Sequence, residues 1–302
     1  MSRTPFASLS LPLWLTGPQR CNTGAVGLPG LAHAWPGDPS NISTTAGAAP
    51  GAEQIWVTLN SSTDLARDPR SWPAVPRSQT ALRRVHTLAL SPREGWQTTG
   101  LFALPGEPVA IAFDSGVPKG AVWEARIGCH TDTLWHKTEM LRWPDMRCTA
   151  LLAQPLTVVV SPYGGPLYLE LKSTPSATGP DADVATVSVT GTITAPVFRP
   201  DMTAADWSDA REQPAPFAEL AGEHIIFSLP SFSIRGLGFD CANRAVRFWD
   251  TVVATHCELA GIDVPTRPER VVCDVQLSAG YMFGHLNIVF GPIPTHFPRI
   301  SL

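Results

Sequence analysis

Val184-Ala-Thr-Val-Ser-Val-Thr-Gly-Thr-Ile-Thr194 is the stretch on which the reading of the fold turns. Val187, Val189, Gly191 and Ile193 alternate with Thr186, Ser188, Thr190 and Thr192. This period of two puts apolar side chains on one face of a strand and hydroxyls on the other. Working back from it, Val85 to Leu90, Thr99 to Leu104, Val109 to Phe113, Trp123 to Cys129, Leu156 to Ser161 and Leu167 to Leu171 are further short β-rich runs. They are separated by Leu104-Pro-Gly106, Val117-Pro-Lys-Gly120, Tyr163-Gly-Gly165 and Thr178-Gly-Pro180, turn signals at the spacing of antiparallel strands rather than of βαβ units. The chain is therefore expected to be mainly β, with an antiparallel β-sandwich over residues 72–197.

Composition agrees. The 24 glycines and 30 prolines argue for many turns and against a helical bundle. At 44% hydrophobic and 16% charged residues, most of the 302-residue chain should fold. Residues 1–54 are the exception: up to Ala52 only Arg3, Arg20 and Asp38 are charged and neither period is sustained, so a disordered or loosely attached segment is expected. Ile55 to Leu59 follows as a candidate strand.

After the connector Gln213-Pro-Ala-Pro216 the pattern changes. Glu223 to Leu229 reads as a strand stopped by Pro230. Ala245 to Ala260 reads as a helix, with Val246, Trp249, Val252, Val253, His256 and Leu259 at helical spacing, Asp240 or Asn243 as N-cap and Gly261 as the stop. Arg270 to Gln276 and Leu286 to Phe290 add two strands. This order implies an α+β subdomain over residues 213–302.

The charge of −4 at pH 7, with no Lys/Arg run, gives nucleic acid no electrostatic foothold. No apolar stretch approaches the ~20 residues of a membrane-spanning helix. Ser8 to Leu15 is interrupted by Pro12 and preceded only by Arg3, a poor secretory signal, so the sequons at Asn41 and Asn60 carry little weight. The six cysteines, Cys21, Cys129, Cys148, Cys241, Cys257 and Cys273, contain no CxxC pair. They read as buried free thiols in a reducing compartment, which favours the cytoplasm.

One cluster could carry chemistry. Gly128-Cys-His-Thr-Asp-Thr-Leu-Trp-His136 brings together a thiol, two imidazoles and a carboxylate, so a zinc site would draw on Cys129, His130, Asp132 or His136, with Cys148 from a neighbouring strand. Against that, Cys129 and His130 would point to opposite faces of a strand. The competing reading is a tight turn in which Thr131 and Asp132 bond the backbone beside a packed Trp135. His256-Cys-Glu258 is read as a core histidine on the helix's apolar stripe, not a ligand pair. Trp96, Trp123, Trp135 and Trp143 could stack on sugar rings or fill the sandwich. No His is followed by Glu, so the zinc-binding HExxH helix does not occur in the sequence. Nor does a GxSxG elbow or a Walker loop.

Several segments in order resemble metallopeptidase family 60, the enhancin-like zinc peptidases. They are Gly95-Trp-Gln-Thr-Thr-Gly-Leu-Phe102, Pro105-Gly-Glu107, Ile127-Gly-Cys-His-Thr-Asp132, Leu134-Trp-His136, Ser161-Pro-Tyr-Gly-Gly165 and Leu167-Tyr168. Further on, Pro214 to Leu220, Phe248-Trp-Asp250, Arg267 to Arg270 and Asp274 to Met282 resemble the start of that family's catalytic domain. The resemblance covers Trp72 to Met282 and implies an incomplete zincin-type subdomain. Zinc is the cofactor of intact members, but the sequence departs after Met282, into Phe283-Gly-His-Leu-Asn287, so no catalytic or metal residue carries over; His285 matches no ligand. Vertebrate relatives, factors associated with a cold-sensing cation channel, keep the architecture and act by binding proteins.

These resemblances imply a peptidase-like chain that is non-catalytic and retains a protein- or glycan-binding role. The alternatives are a regulator like the channel-associated factors, or a fragment of an active glycoprotein-directed zinc peptidase. The partners expected are proteins or glycoproteins. The apolar faces of a shortened subdomain are expected to drive association.

Overall fold

The computed structural model describes residues 82–173 and 185–278, with the backbone of short strands at 22–24, 54–56, 282–285 and 287–290. In chain order the strands are β1 (Asn22–Gly24), β2 (Gln54–Trp56), β3 (Leu82–Arg84), β4 (His86–Leu90), β5 (Gly95–Ala103), β6 (Pro108–Phe113), β7 (Val122–Ile127), β8 (Cys148–Leu151), β9 (Leu156–Val160), β10 (Gly165–Ser173), β11 (Ala185–Thr190) and β12 (Thr192–Thr194). They continue with β13 (Val197–Phe198), helix α1 (Ala204–Ala210), β14 (Phe217–Ala221), β15 (Ile225–Pro230), helix α2 (Phe239–Ala260), β16 (Glu269–Cys273), β17 (Met282–His285) and β18 (Asn287–Phe290).

The first sheet has the order β1-β9-β6-β11-β4 and the second β12-β5-β10-β7-β8, all antiparallel. Val187 and Val189 face Leu101, Ile127 and Leu169 across a core that also holds Ile111, Trp123 and Val159. The alternating stretch that announced the sandwich is two strands, not one. Gly191 sits at φ +90° between them, and β11 pairs in the first sheet while β12 pairs in the second. A Cβ at Gly191 would strike the Pro108 carbonyl, so the crossing point admits only glycine.

The third sheet, β13-β14-β15-β16-β18-β17, is mixed, with β15–β16 and β16–β18 parallel. One face carries Phe217 and Val272 against Phe102, Tyr168 and Ile193 on the outer side of the second sheet. Its other face carries Ala218 and Leu220 against Trp207 of α1 and Ala242 and Val246 of α2. The result is four layers: sheet, sheet, sheet, helices. This explains why all five residues of β14 are buried, a strand that sequence alone does not single out.

Several expectations need correction. Strand β13, ahead of the connector at 213, pairs parallel with β14 in the third sheet. Arg235 ties that connector down by donating to the carbonyls of Arg211 and Gln213, both at 2.7 Å. Helix α2 starts at Phe239, six residues before the expected Ala245; its N-cap is Gly238, with no side-chain cap, and Asp240 lies in the first turn. Its stop is as read, with Gly261 at φ +67°. His256 is exposed rather than in the core, because the helix turns Ala242, Val246 and Cys257 inward instead. Cys148 is disulfide-bonded, its other half outside the described residues, while Cys129, Cys241, Cys257 and Cys273 are free, so the expectation of six free thiols fails at Cys148. Residues 1–54 lie mostly outside the described residues; their piece β1 is an edge strand on β9.

Candidate functional site at the domain junction

The candidate cluster lies where the second and third sheets meet. Gly128 (φ +88°) ends β7 and turns the chain across the end of β16; a Cβ there would be 2.5 Å from the Met146 carbonyl oxygen. The loop is closed by backbone pairing of Thr131 with Asp145.

His130 is fully buried, edge-on to Phe217 at 5.2 Å between ring centres. Its Nδ1 lies 3.7 Å from the Cys129 thiol and its Nε2 3.0 Å from the Cys273 carbonyl. Burial, the largest influence, opposes its protonation, but Cys129 and the Asp274 carboxylate outweigh it and the imidazole pKa is raised. Burial also pushes the Cys273 thiol up to about 12, so it stays protonated. Asp132 accepts from Ser278 twice, at 2.7 Å from the amide and 2.6 Å from the hydroxyl, and from the Thr133 amide at 2.6 Å. Although burial resists ionisation, these bonds hold the Asp132 carboxyl below its ordinary value. Trp135 is 56% exposed, not packed as the turn reading expected.

Sequence reasoning missed the residues that join the units. Arg142 and Asp274, 132 positions apart and both essentially inaccessible, form a two-pronged pair at 2.6 and 2.5 Å, and Arg142 also donates to the Trp143 and Pro144 carbonyls. Deeper in, Arg270 donates to Glu219, to Ser228 at 3.0 Å and to Thr98 at 2.8 Å, while Tyr168 donates to Glu219 at 3.1 Å. Arg270 lies over the Tyr168 ring at 4.6 Å, and Arg126 over Trp96 at 3.6 Å. Burial, with Arg147, lowers the Arg126 guanidinium to about 10. A lone Arg or Glu gives no sign of its partner, and Tyr168 and Thr98 lie on strands that carry other polar residues, so neither stands out in the sequence.

The donor set does not suit zinc. His130 spends both nitrogens and Asp132 both oxygens on contacts within the junction. Among the described residues no group of three or more His, Cys, Asp or Glu side chains could hold a metal ion. Nor is any described helix long and apolar enough to cross a membrane.

Residues 74–185 match the N-terminal domain of M60-like peptidases, and residues 191–296 match Peptidase M60, enhancin and enhancin-like. The chain belongs to the M60-like peptidase family over these residues. It is 32% identical over 235 residues to the TRPM8 channel-associated factor homolog of Danio rerio, covering 77% of this chain and 25% of that protein. It is 30% identical over 196 residues to human TRPM8 channel-associated factor 1, covering 62% and 20%. The chain thus spans a quarter or less of these relatives. Among solved structures, a functionally unknown conserved protein from Bacillus anthracis aligns at TM-score 0.54 and 17% identity, covering 69% of this chain and 45% of that one. The M60 catalytic domain of Clostridium perfringens ZmpC, in complex with the sialyl T antigen, aligns at TM-score 0.51 and 14% identity, covering 80% and 48%. These structures share the fold.

Proposed function

We propose that the sandwich and the third sheet form a non-catalytic interaction module, held as one body by the junction and presenting its outer surfaces to a protein or glycoprotein partner. The observation that carries this reading is how the chemistry-bearing residues are used. Cys129, His130, Asp132, Arg142 and Asp274 spend their polar atoms on one another and on the backbone. The sequence also lacks the His-Glu pair that an HExxH zinc helix would need. A membrane channel as partner is supported by the curated relatives, which carry the name TRPM8 channel-associated factor.

A second reading, part of a glycoprotein-directed zinc peptidase, is supported by the Peptidase M60 match over residues 191–296. The test is direct. Immobilised chain is exposed to purified TRPM8 channel, and, with zinc added, to an O-glycosylated mucin. Saturable binding of the channel with intact mucin is expected. Mucin cleavage that a chelator stops would overturn the proposal in favour of the second reading.

A further inference from the structure

Helix α2 has two apolar faces. One, with Ala242, Val246 and Cys257, is buried beneath the third sheet, and Asp250 fixes it there by accepting from the amides of Glu223 at 3.0 Å and His224 at 2.8 Å. The other carries Ala245, Phe248, Val252, Thr255 and Leu259, continued past the Gly261 cap by Ile262. These residues alternate three and four apart, the spacing of a helix-pairing seam. Phe248 is 61% exposed, Leu259 83% and Ile262 58%, a contiguous apolar ridge of the kind that marks an interface. The ridge is also held in place: Phe248 packs edge-on against Trp249 at 5.6 Å, and Trp249 against Phe227 at 5.7 Å.

Charge selects the occupant. Arg244 and Glu258 lie on the same flank of the seam, each one position before a seam residue and each seven from Thr251. Both are exposed, and neither enters an ion pair among the described residues. Two antiparallel copies bring this flank against its own counterpart and would set Arg244 of each against Glu258 of the other, whereas a parallel pair would bring it against the opposite flank, which carries Trp249 and His256, and would form no such pair. The arrangement is self-complementary, as a two-fold interface requires.

We propose that α2 is the interface of a homodimer in which two copies of this chain pack their helices antiparallel through the Phe248–Val252–Leu259 seam. Sedimentation velocity of the full chain at up to about 100 μM should show a monomer–dimer equilibrium. Arg244→Glu should raise the dissociation constant by about tenfold or more by opposing like charges. Arg244→Glu combined with Glu258→Arg should restore it. Leu259→Glu should abolish the dimer while the far-ultraviolet circular dichroism stays unchanged, since Leu259 touches no core. A chain that remains monomeric would overturn the proposal and leave the seam to a different protein. A dimer that ignores the Arg244 reversal, or is not rescued by the double reversal, would overturn it too.

Discussion

Glu219→Ala is the sharpest perturbation of the junction. Glu219 and Arg270 retain 6% and 4% of their side-chain exposure, so neither ion can recover its hydration in place. Removing the carboxylate leaves the guanidinium with Ser228, Thr98 and the Tyr168 ring but no counter-charge. Breaking a buried pair by deleting one partner costs about 3–5 kcal/mol. At about 2–4 °C per kcal/mol for a chain of this size, the melting temperature should fall by about 6–20 °C. Replacing both partners at once, Glu219→Leu with Arg270→Met, removes the stranded charge and should recover most of that loss. Thermal melts of the three proteins, followed by far-ultraviolet circular dichroism, read the comparison. If the single variant melts within about 2 °C of the parent, under about 1 kcal/mol, the pair is hydrated and the junction is not a dry contact.

Three further outcomes follow from the same contacts. Asp274→Asn should cost about 3–5 kcal/mol and open the 131–145 loop to protease, because Arg142 is then stranded; equal cleavage rates in variant and parent would contradict this. Because the His130 pKa is raised on folding, its contribution is complete below the unfolded value of 6.5 and is lost as pH rises through the folded value; denaturant melts should therefore weaken as pH rises above 6.5, and His130→Gln should flatten that slope. Thr203→Ala should cost about 1 kcal/mol, because Thr203 and Asp206 cap each other at the start of α1, at 3.2 Å and 2.9 Å; the urea midpoint reads it.

The sandwich was legible because its strands keep one face dry, so the period of two survives in Val187 to Ile193 and in Val109 to Phe113. Strand β14 was not, because Phe217-Ala-Glu-Leu-Ala221 is buried on both faces and shows no alternation. Strand β8, Cys148-Thr-Ala-Leu151, is too short to carry a pattern. The stripe read for helix α2, Val246, Trp249, Val252, Val253, His256 and Leu259, mixes its buried and exposed sides, because the inward Ala242 and Cys257 are small and carry little pattern; this put His256 on the wrong side of the protein surface. The candidate cluster was found by residue type, but its use was decided by partners more than a hundred positions away, Cys273, Asp274 and Ser278, which no local spacing reports.

If Cys129, His130 and Asp132 serve the junction through their bonds to one another, to Cys273 and to Ser278, they leave no donors for a metal. Metal analysis of the chain after dialysis against zinc tests it most directly, alongside thermal melts with and without chelator. The account predicts less than stoichiometric zinc and identical melting in both buffers. One tightly held zinc per chain, lost together with stability in His130→Gln, would contradict it.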